Sequence, residues 1–251
     1  MYQEERLIEI LEHLEKNARI SIDDICRLFD VSRDTARRDL VKLEETGSIL
    51  RTRGGAILPL SSMKVKNYSD RLMESSEDKK KIGAYAAQLI TSGEKIILDT
   101  STTVQFCAEN ISAEDCTIIT NSITQADILS TKANLEVHLL GGKLHPEHKY
   151  VYGYTAIQML ENYFADIAFI GACGISTDGI TLPDEGDGQV VRKMIAQAAK
   201  TVVLAEYSKF NKKGFFKCAN LSEIDVIITN QMPDLSLKHI LEENDVEIII
   251  V

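Results

Sequence analysis

Short apolar segments alternate with amphipathic helical patterns from residue 75 to residue 251. Each apolar segment is almost continuous, which is typical of strands that are buried on both faces of a parallel sheet. This order predicts an α/β domain, a Rossmann-like and mostly parallel sheet with helices on both faces. The predicted strands cover residues 95–99, 116–120, 135–140, 166–171, 201–205, 225–229 and 247–251. The predicted helices cover residues 76–90, 103–110, 122–129, 153–163, 189–199 and 235–243.

The N-terminal segment follows a different pattern. Apolar side chains at three- and four-residue spacing predict two helices, the second of which begins at Ser21. Ser32 can cap a third helix, and Gly47 can end it. Residues 48–58 then predict two short strands around a Gly-Gly pair. Three helices followed by a hairpin predict a winged helix-turn-helix.

The third helix of this segment has basic and hydroxyl side chains in its first turns, the part of a recognition helix that reaches bases and phosphates. Arginine suits guanine edges and phosphates because its planar fork donates two parallel hydrogen bonds. The alternative is a solvated surface helix with internal ion pairs such as Asp34 with Arg38. The order of two helices, a tight turn, this helix and a basic hairpin favours DNA binding. The predicted DNA-contacting residues are Ser32, Arg33, Thr35, Arg37, Arg38, Lys42, Arg51 and Arg53.

The length of 251 residues suits one small and one medium domain. We predict a winged helix-turn-helix domain over 1–58, a linker over 59–74 and a ligand-binding domain over 75–251. The net charge of −10 argues against a general nucleic-acid coat, but the field at a DNA groove depends on the nearest charges. Scattered cysteines, no signal-peptide pattern and no apolar run of membrane-spanning length lead us to expect a cytoplasmic protein.

Hydroxyl-rich turns follow two predicted strands, at the edge where an open α/β sheet binds ligands. Residues 99–103 and 120–122 each lie between a strand and a helix, where free amides and the helix dipole favour an anion. Ordinary helix capping by the same side chains is the alternative. Two such turns and a Gly-Gly-Lys turn together predict a phosphate-bearing ligand. Lys209, after a later strand, either neutralises the charge of that ligand or is a solvated lysine on a loop. The predicted ligand-binding residues are Asp99, Thr100, Ser101, Thr102, Thr103, Thr120, Asn121, Ser122, Gly141, Gly142, Lys143 and Lys209.

Two further groups of polar side chains have weaker signals. The acidic, glycine-rich segment 184–188 precedes a helix, where it either gates a pocket and accepts sugar hydroxyls or forms a flexible surface loop. His138, His145 and His148 form a histidine group, but Pro146 disfavours the regular helix that a metal pair would need. No Ser/His/Asp order, Walker loop or GxGxxG motif occurs. We therefore predict no metal, no cofactor and no catalytic residues.

These motifs also carry a family resemblance over nearly the full length. They occupy residues 31–32, 35–40, 43–44, 47, 53–56, 98–103, 120–122, 140–142, 166–171, 178–180, 208–210 and 227–229. In them the chain resembles transcription regulators of the DeoR family. The resemblance implies a cytoplasmic regulator, usually a repressor of carbohydrate genes, that binds double-stranded operator DNA as a homo-oligomer, a dimer or a tetramer. It also implies a phosphorylated sugar, or a derivative of one, as effector.

Two residues depart from the usual family sequence, and a resemblance of the family to an enzyme supplies a rival function. Ser101 stands where the family usually has Gly, and Glu206 where it usually has Asp. The effector domain of the family also resembles ribose-5-phosphate isomerase, which moves a proton between sugar carbons with carboxylates. The two acids of its Asp-Gly-Ala-Asp turn fall at Ile170 and Cys173, neither of which can act as that base. The resemblance therefore implies binding without turnover. A sugar-phosphate isomerase and an adaptor with a vestigial helix-turn-helix are the alternatives.

Overall fold

The structure is a computed structural model that describes residues 2–17, 19–46, 48–57, 67–73 and 77–251. It divides the chain into two compact units, Met1–Lys64 and Val65–Val251. Within the described ranges, no helix combines the length and the apolar character needed to cross a membrane.

The first unit contains three helices and a three-stranded antiparallel sheet, as a winged helix-turn-helix requires. Its middle strand, β3, pairs with both β1 and β2. The strand β1 was not predicted, because three residues between two helices are too few to show a strand period. Gly55 lets β3 approach β1, since a Cβ atom there would lie 1.9 Å from the carbonyl oxygen of Ile20. The elements are α1 (Gln3–Asn17), β1 (Arg19–Ser21), α2 (Ile22–Phe29), α3 (Arg33–Glu45), β2 (Leu50–Thr52) and β3 (Gly55–Ile57).

The apolar stripes of the three helices meet in the core of the first unit. Ile10 and Leu14 of α1 pack there with Ile25 of α2 and with Ala36 and Leu40 of α3. The serines that precede α2 and α3 both cap their helices as predicted, because each side chain accepts a backbone N–H three residues later. The helix boundaries in this unit follow from capping and from burial of one face.

The second unit is a seven-stranded sheet in which every neighbouring pair is parallel, and it confirms the predicted Rossmann-like fold. The strand order is β15-β14-β12-β9-β4-β5-β6. Its first elements are α4 (Tyr68–Met73), α5 (Glu77–Gln88), β4 (Lys95–Leu98), α6 (Thr102–Asn110), β5 (Cys116–Thr120), α7 (Ile123–Ser130), β6 (Leu135–Leu139), β7 (Lys143–His145), β8 (Tyr150–Tyr152) and α8 (Tyr154–Leu160). The others are β9 (Ala165–Gly171), β10 (Gly174–Ser176), β11 (Gly179–Leu182), α9 (Glu185–Ala196), β12 (Ala198–Leu204), β13 (Phe216–Ala219), β14 (Val226–Thr229), α10 (Leu235–Glu243) and β15 (Glu247–Ile250).

Successive residues of the central strands enter two different cores, one on each face of the sheet. Ile96 and Phe169 belong to one core, and their chain neighbours Ile97 and Ile170 belong to the other. All four are fully buried. This double burial explains why the strands are continuously apolar.

Two small sheets lie outside the main sheet and were not predicted. The strands β7 and β8 form an antiparallel hairpin, and β10, β11 and β13 form a three-stranded antiparallel sheet. Each of these strands has only three or four residues, too few for a clear alternation of apolar and polar side chains.

The predicted linker over 59–74 differs from the structure at its C-terminal end. Residues 58–66 and 74–76 lie outside the described ranges, but α4 forms within the predicted linker. Its first residue, Tyr68, is 1% exposed, and its backbone N–H donates to the Glu147 carbonyl at 3.1 Å. A six-residue helix shows too little periodicity to be found in the sequence.

The helix predicted over 189–199 begins earlier in the structure. Asp184 is its N-cap and accepts a hydrogen bond from the backbone N–H of Asp187 at 2.9 Å, so the glycine-rich segment forms the first turn of α9. Gly188 is required within that turn, because a Cβ atom there would lie 2.1 Å from the Phe216 ring. The segment is therefore not a surface loop, but its acids do lie at the start of a helix, as that alternative also held.

Candidate functional site

The predicted DNA contacts lie at the start of α3, on its exposed face and on the hairpin. Ser32 and Thr35 form the helix cap, with the Thr35 N–H donating to the Ser32 hydroxyl at 3.2 Å. Their hydroxyl oxygens lie 2.9 Å apart. Thr35 is half-buried, and the other seven predicted residues are exposed. The basic side chains are thus accessible, while the two hydroxyl side chains also stabilise the start of the helix.

Local ion pairs engage several of these basic side chains. Arg33 lies 2.8 Å from Asp23, and Arg51 lies 3.6 Å from Glu44. Arg37 pairs with Asp34 at 3.7 Å. The Asp34–Arg38 pair considered in the sequence is not formed. Exposed pairs of this kind contribute about 0.2–1 kcal/mol each, so a phosphate can displace them at little cost.

Asp39 belongs to the core of the first unit and not to its surface. Its side chain is fully buried and lies 2.6 Å from Arg6 Nε of α1. A second Arg6 nitrogen donates to Asp39 at 3.2 Å, and the Gln3 amide donates at 2.9 Å. This ion pair joins α1 to α3 and removes one acid from the exposed face of the recognition helix. The excess of basic over acidic side chains on that face is therefore larger than a count of all charged residues in the helix indicates.

In the second unit a cavity of about 40 Å³ lies beyond the carboxyl ends of β4 and β9. These two strands are neighbours, but the chain continues from β4 to β5 on one side and from β9 to β12 on the other. This is the switch point at which open α/β sheets bind ligands. The volume has room for about three water molecules, or for one group of the size of a phosphate. Polar and charged side chains in its wall are Arg71, Asp99, Thr100, Ser101, His148, Tyr150, Cys173, Asp184 and Asp187.

Asp99 organises the turn between β4 and α6. One carboxylate oxygen accepts the Ser101 N–H at 2.8 Å, and the other accepts the Gly171 N–H at 2.7 Å. Burial raises the pKa of Asp99 to about 6, although these two amide hydrogen bonds favour the charged form. The carboxylate thus occupies amides that the sequence assigned to a ligand anion.

Ser101, which replaces the usual glycine of the family, is compatible with the turn. Its backbone has φ −71° and ψ 150°, an extended conformation that any residue adopts. Its hydroxyl caps α6 by accepting the Val104 N–H at 3.1 Å. The space for its side chain comes from Gly171, where a Cβ atom would lie 2.2 Å from Ser101 Cβ. Glu206, the other departure, lies 3.8 Å from Lys79 Nζ.

Asp187 lines the cavity with a carboxylate oxygen that is buried and has no hydrogen-bond partner among the described residues. Burial, followed by the charges of the nearby Asp99 and Asp184 carboxylates, raises the pKa of Asp187 to about 8. Asp184 accepts a hydrogen bond from the Tyr150 hydroxyl at 3.1 Å. Asp187 is therefore able to donate or accept a hydrogen bond near neutral pH, as recognition of a sugar hydroxyl requires.

His148 lines the opposite part of the wall and belongs to an aromatic cluster. Its ring is stacked on Tyr150 at a centroid distance of 6.2 Å, and His145 lies 4.7 Å from it. The His148 Nδ1 atom is buried without a partner among the described residues. Burial, followed by the charges of Arg71 and His145, lowers the pKa of His148. The neutral ring thus has an open hydrogen-bonding position at the cavity.

The second predicted turn, residues 120–122, is used for structure and does not line the cavity. The Asn121 amide donates to the Val151 carbonyl at 3.0 Å. The Ser122 hydroxyl accepts the Gln125 N–H at 3.2 Å, and Thr120 Oγ1 accepts the Ser122 N–H at 3.0 Å. Helix capping, the alternative that the sequence left open, accounts for these contacts. The turn supports the wall behind Asp99, because the Gln125 amide donates to the Asp99 carbonyl at 2.5 Å.

Of the predicted ligand-binding residues, Asp99, Thr100 and Ser101 line this cavity, and the others do not. Thr102 and Thr103 are buried in the first turn of α6, and Lys143 is exposed on β7. Gly142 has φ +149°, and a Cβ atom there would lie 2.5 Å from the Tyr152 carbonyl oxygen. Lys209 is half-buried in a short 3-10 turn, close enough to Cys173 for its charge to lower the pKa of that thiol while burial raises it.

Sequence reasoning missed the contributions of Arg71, His148, Tyr150 and Cys173 to the cavity wall, whereas Asp184 and Asp187 belong to the acidic segment that it did consider. The missed residues come from different elements, so no local spacing connects them. The one available signal was the acidic segment before α9, which was considered as a possible contact to sugar hydroxyls. Among the described residues, no group of three or more His, Cys, Asp and Glu side chains forms a metal site.

Models of known domain families match both units. A model of the DeoR-like helix-turn-helix domain matches residues 6–62, and a model of the DeoR C terminal sensor domain matches residues 74–231. Among solved structures, ribose 5 phosphate isomerase A from Neisseria gonorrhoeae aligns with a TM-score of 0.38 and 15% identity, covering 53% of this chain and 52% of that chain.

Two curated relatives align over almost the whole chain. The HTH-type transcriptional repressor GlcR of Bacillus subtilis (strain 168) is 52% identical over 250 residues, which cover 100% of this chain and 97% of that protein. The glycerol-3-phosphate regulon repressor of Escherichia coli (strain K12) is 27% identical over 250 residues, which cover 99% of each chain. The family models and this full-length identity show that the chain belongs to the DeoR family of helix-turn-helix transcription regulators.

Proposed function

We propose that this chain is an operator-binding repressor of carbohydrate genes and that a phosphorylated sugar in the cavity of the second unit releases it from DNA. The observation that carries the proposal is the presence, in one DeoR-family chain, of an exposed basic recognition helix and of a polar cavity at the sheet switch point. The similarity to a named repressor at 52% identity supports the same function.

DNA binding places the first turns of α3 in the major groove. The exposed side chains of Arg33, Arg37 and Arg38 reach base edges or phosphates there, and Arg51 and Arg53 of the hairpin contact the backbone. One copy of so small a surface binds weakly. A homo-oligomer, a dimer or a tetramer, therefore places paired helices on a repeated or palindromic site in the cytoplasm.

Replacing Arg37 and Arg38 together by alanine is expected to weaken operator binding by about a hundredfold or more at moderate salt. The physical reason is the loss of two exposed guanidinium groups that bind bases or phosphates, with no loss of buried contacts. The slope of log affinity against log salt falls by up to about two if both arginines contact phosphates. Gel shifts on a duplex selected from random DNA by the wild-type chain measure both effects.

The matched control removes two positive charges from the second unit, by Lys200→Ala, which is exposed, with Lys238→Ala, which is half-buried. It changes the net charge equally and should leave operator binding within about twofold, because these charges lie outside the recognition helix. Unchanged gel shifts in the Arg37/Arg38 variant would show that α3 does not read this DNA.

The cavity suits an effector that combines an anion with hydroxyl groups. Arg71 of the cavity wall supplies positive charge, and the half-buried Lys209 lies outside the wall but close enough to Cys173 for its charge to act on that thiol. Asp184, Asp187 and His148 supply hydrogen-bonding groups for hydroxyls. The space of about 40 Å³ holds one phosphate-sized group, so the rest of the effector extends toward the loops around it.

The isomerase alternative predicts turnover and is tested directly. Ile170 and Cys173 stand where the isomerase has its two acids, and neither side chain has a carboxylate that could act as the base. Ile170 is fully buried, and burial raises the pKa of the Cys173 thiol. We expect no conversion when ribose 5-phosphate is incubated with the chain and the product is followed by NMR. Conversion that disappears in an Asp187→Asn variant would establish an enzyme instead.

A further inference from the structure

Arg71 is the only permanent cation among the described side chains that line the cavity. Its Nε atom is buried and has no hydrogen-bond partner within the described residues. Its charge lowers the pKa of both Asp99 and Asp187, yet neither carboxylate is paired with it. Its nearest described aromatic contact is the Tyr68 ring of the same helix, 5.7 Å from the guanidinium carbon. A buried donor without a partner is costly, and a bound anion would satisfy it.

The turn after β4 cannot bind the anion alone. Asp99 already accepts the Ser101 and Gly171 amides, and the Ser101 hydroxyl already caps α6. A ligand phosphate at this turn would meet the Asp99 carboxylate and needs a compensating positive charge. Arg71 supplies that charge with a planar fork that fits a phosphate through two parallel hydrogen bonds.

The helix that carries Arg71 is tied to the cavity walls on two sides. The Tyr68 hydroxyl donates to Gln105 of α6, and the Tyr68 N–H donates to the Glu147 carbonyl beside His148. The Arg71 carbonyl accepts a hydrogen bond from Lys79 Nζ at 3.3 Å. Because α4 has only six residues, we expect it to move as one body when its arginine does.

In the chain, α4 follows directly after the segment that connects the two units. The DNA-binding unit ends at Lys64, and α4 begins at Tyr68 as the first described helix of the second unit. The short segment between them is the covalent connection between the effector domain and the recognition helix.

We propose that Arg71 is the principal ligand of the effector's phosphate and that α4 transmits effector binding to the DNA-binding unit. This inference rests on the proposed function, in which a phosphorylated sugar binds the cavity. Binding pulls the Arg71 guanidinium toward the phosphate and moves α4, and the arrangement of α4 that favours the effector is the one that disfavours DNA. The coupling is limited by the difference in effector affinity between the two arrangements.

The test begins with wild-type chain and named probes: glucose 6-phosphate, fructose 6-phosphate, glycerol 3-phosphate, inorganic phosphate and glucose. Thermal shift identifies the probe that stabilises the chain, and calorimetry gives its affinity. Arg71→Gln should weaken that affinity at least thirtyfold, whereas Lys209→Gln weakens it less. Lys80→Gln, which removes an exposed positive charge on the next helix, should have no effect.

A second variant tests transmission separately. A Gly-Ser-Gly-Ser insertion between Val65 and Lys66 leaves Arg71 and the cavity intact. We expect wild-type affinity for the stabilising probe and wild-type DNA binding, but at least a tenfold smaller effect of the probe on DNA affinity.

The outcomes separate the two levels of the proposal. If no phosphorylated probe stabilises the wild-type chain, the proposed sugar-phosphate function fails and this inference fails with it. If the wild-type chain binds a probe and Arg71→Gln binds it equally well, only the role of Arg71 is overturned. If the insertion variant still releases DNA as the wild type does, α4 is not the transmitting element.

Discussion

Replacing Asp39 by alanine is expected to unfold the N-terminal unit and to abolish operator binding, although Asp39 does not face the DNA. The substitution leaves the Arg6 guanidinium, whose side chain is only 8% exposed, without its buried partner. Breaking a buried ion pair on one side costs about 3–5 kcal/mol, which is comparable to the whole stability of a domain this small. The first unit has one modest core, so little remains to compensate the loss.

Hydrogen exchange on the full chain measures this effect where it occurs. Amides of α1 and α3 should lose their protection in Asp39→Ala, while those of the seven-stranded sheet keep theirs. Asp34→Ala removes an exposed acid from the same helix and serves as the matched control, with an expected change below about 0.5 kcal/mol. Replacing both partners, Arg6→Met with Asp39→Leu, should restore much of the protection. Wild-type protection of α1 in Asp39→Ala would contradict the role assigned to the pair.

Replacing Asp187 by asparagine is expected to stabilise the second unit at pH 8 and to impair its response to effector. Burial and two neighbouring carboxylates raise the pKa of Asp187 to about 8 from an ordinary value of 3.8. Between these pH values the folded chain binds a proton that the unfolded chain lacks. The free energy of unfolding therefore falls as pH rises through this window, and the loss is complete above pH 8. Asparagine does not ionise, so the Asp187→Asn variant does not lose this free energy of unfolding as pH rises.

The gain from Asp187→Asn should be on the order of 2 kcal/mol at pH 8, or about 5 °C in Tm, and should vanish near pH 4. Melting curves of the full chain at pH 5, 6, 7 and 8 measure it. Asp178→Asn is the control, because Asp178 is paired with Lys213 at the surface and its pKa is lowered by that hydrogen bond. A pH-independent difference between wild type and Asp187→Asn would show that residue 187 is ionised throughout.

The sequence was sufficient for the elements whose burial repeats along the chain. The strands of the main sheet are apolar on both faces, as Ile96 and Ile97 illustrate. Each strand can therefore be recognised in the sequence as a continuous apolar segment. The helix α4 and the small sheets are too short to show a period. The cavity wall depends on Arg71, His148 and Asp187, which are brought together only when the sheet forms.

The two acids Asp39 and Asp99 mark a further limit of sequence reasoning. The sequence predicts Asp99 as a ligand-binding residue and assigns no partner to Asp39. The structure makes each an internal partner, Asp39 of Arg6 and Asp99 of two backbone amides. A sequence gives the charge of a side chain but not the distance to the group that neutralises it.

The carboxylate of Asp99 has a consequence for selectivity. Because it already occupies the amides of the turn, that part of the receptor is assembled before any effector arrives. The free energy of binding is then not consumed in ordering the turn. The same resident negative charge repels free inorganic anions from these amides, so abundant small ions are poor imitators of the signal. We therefore expect a regulator built around its own anion to respond to the sugar and phosphate together rather than to phosphate alone.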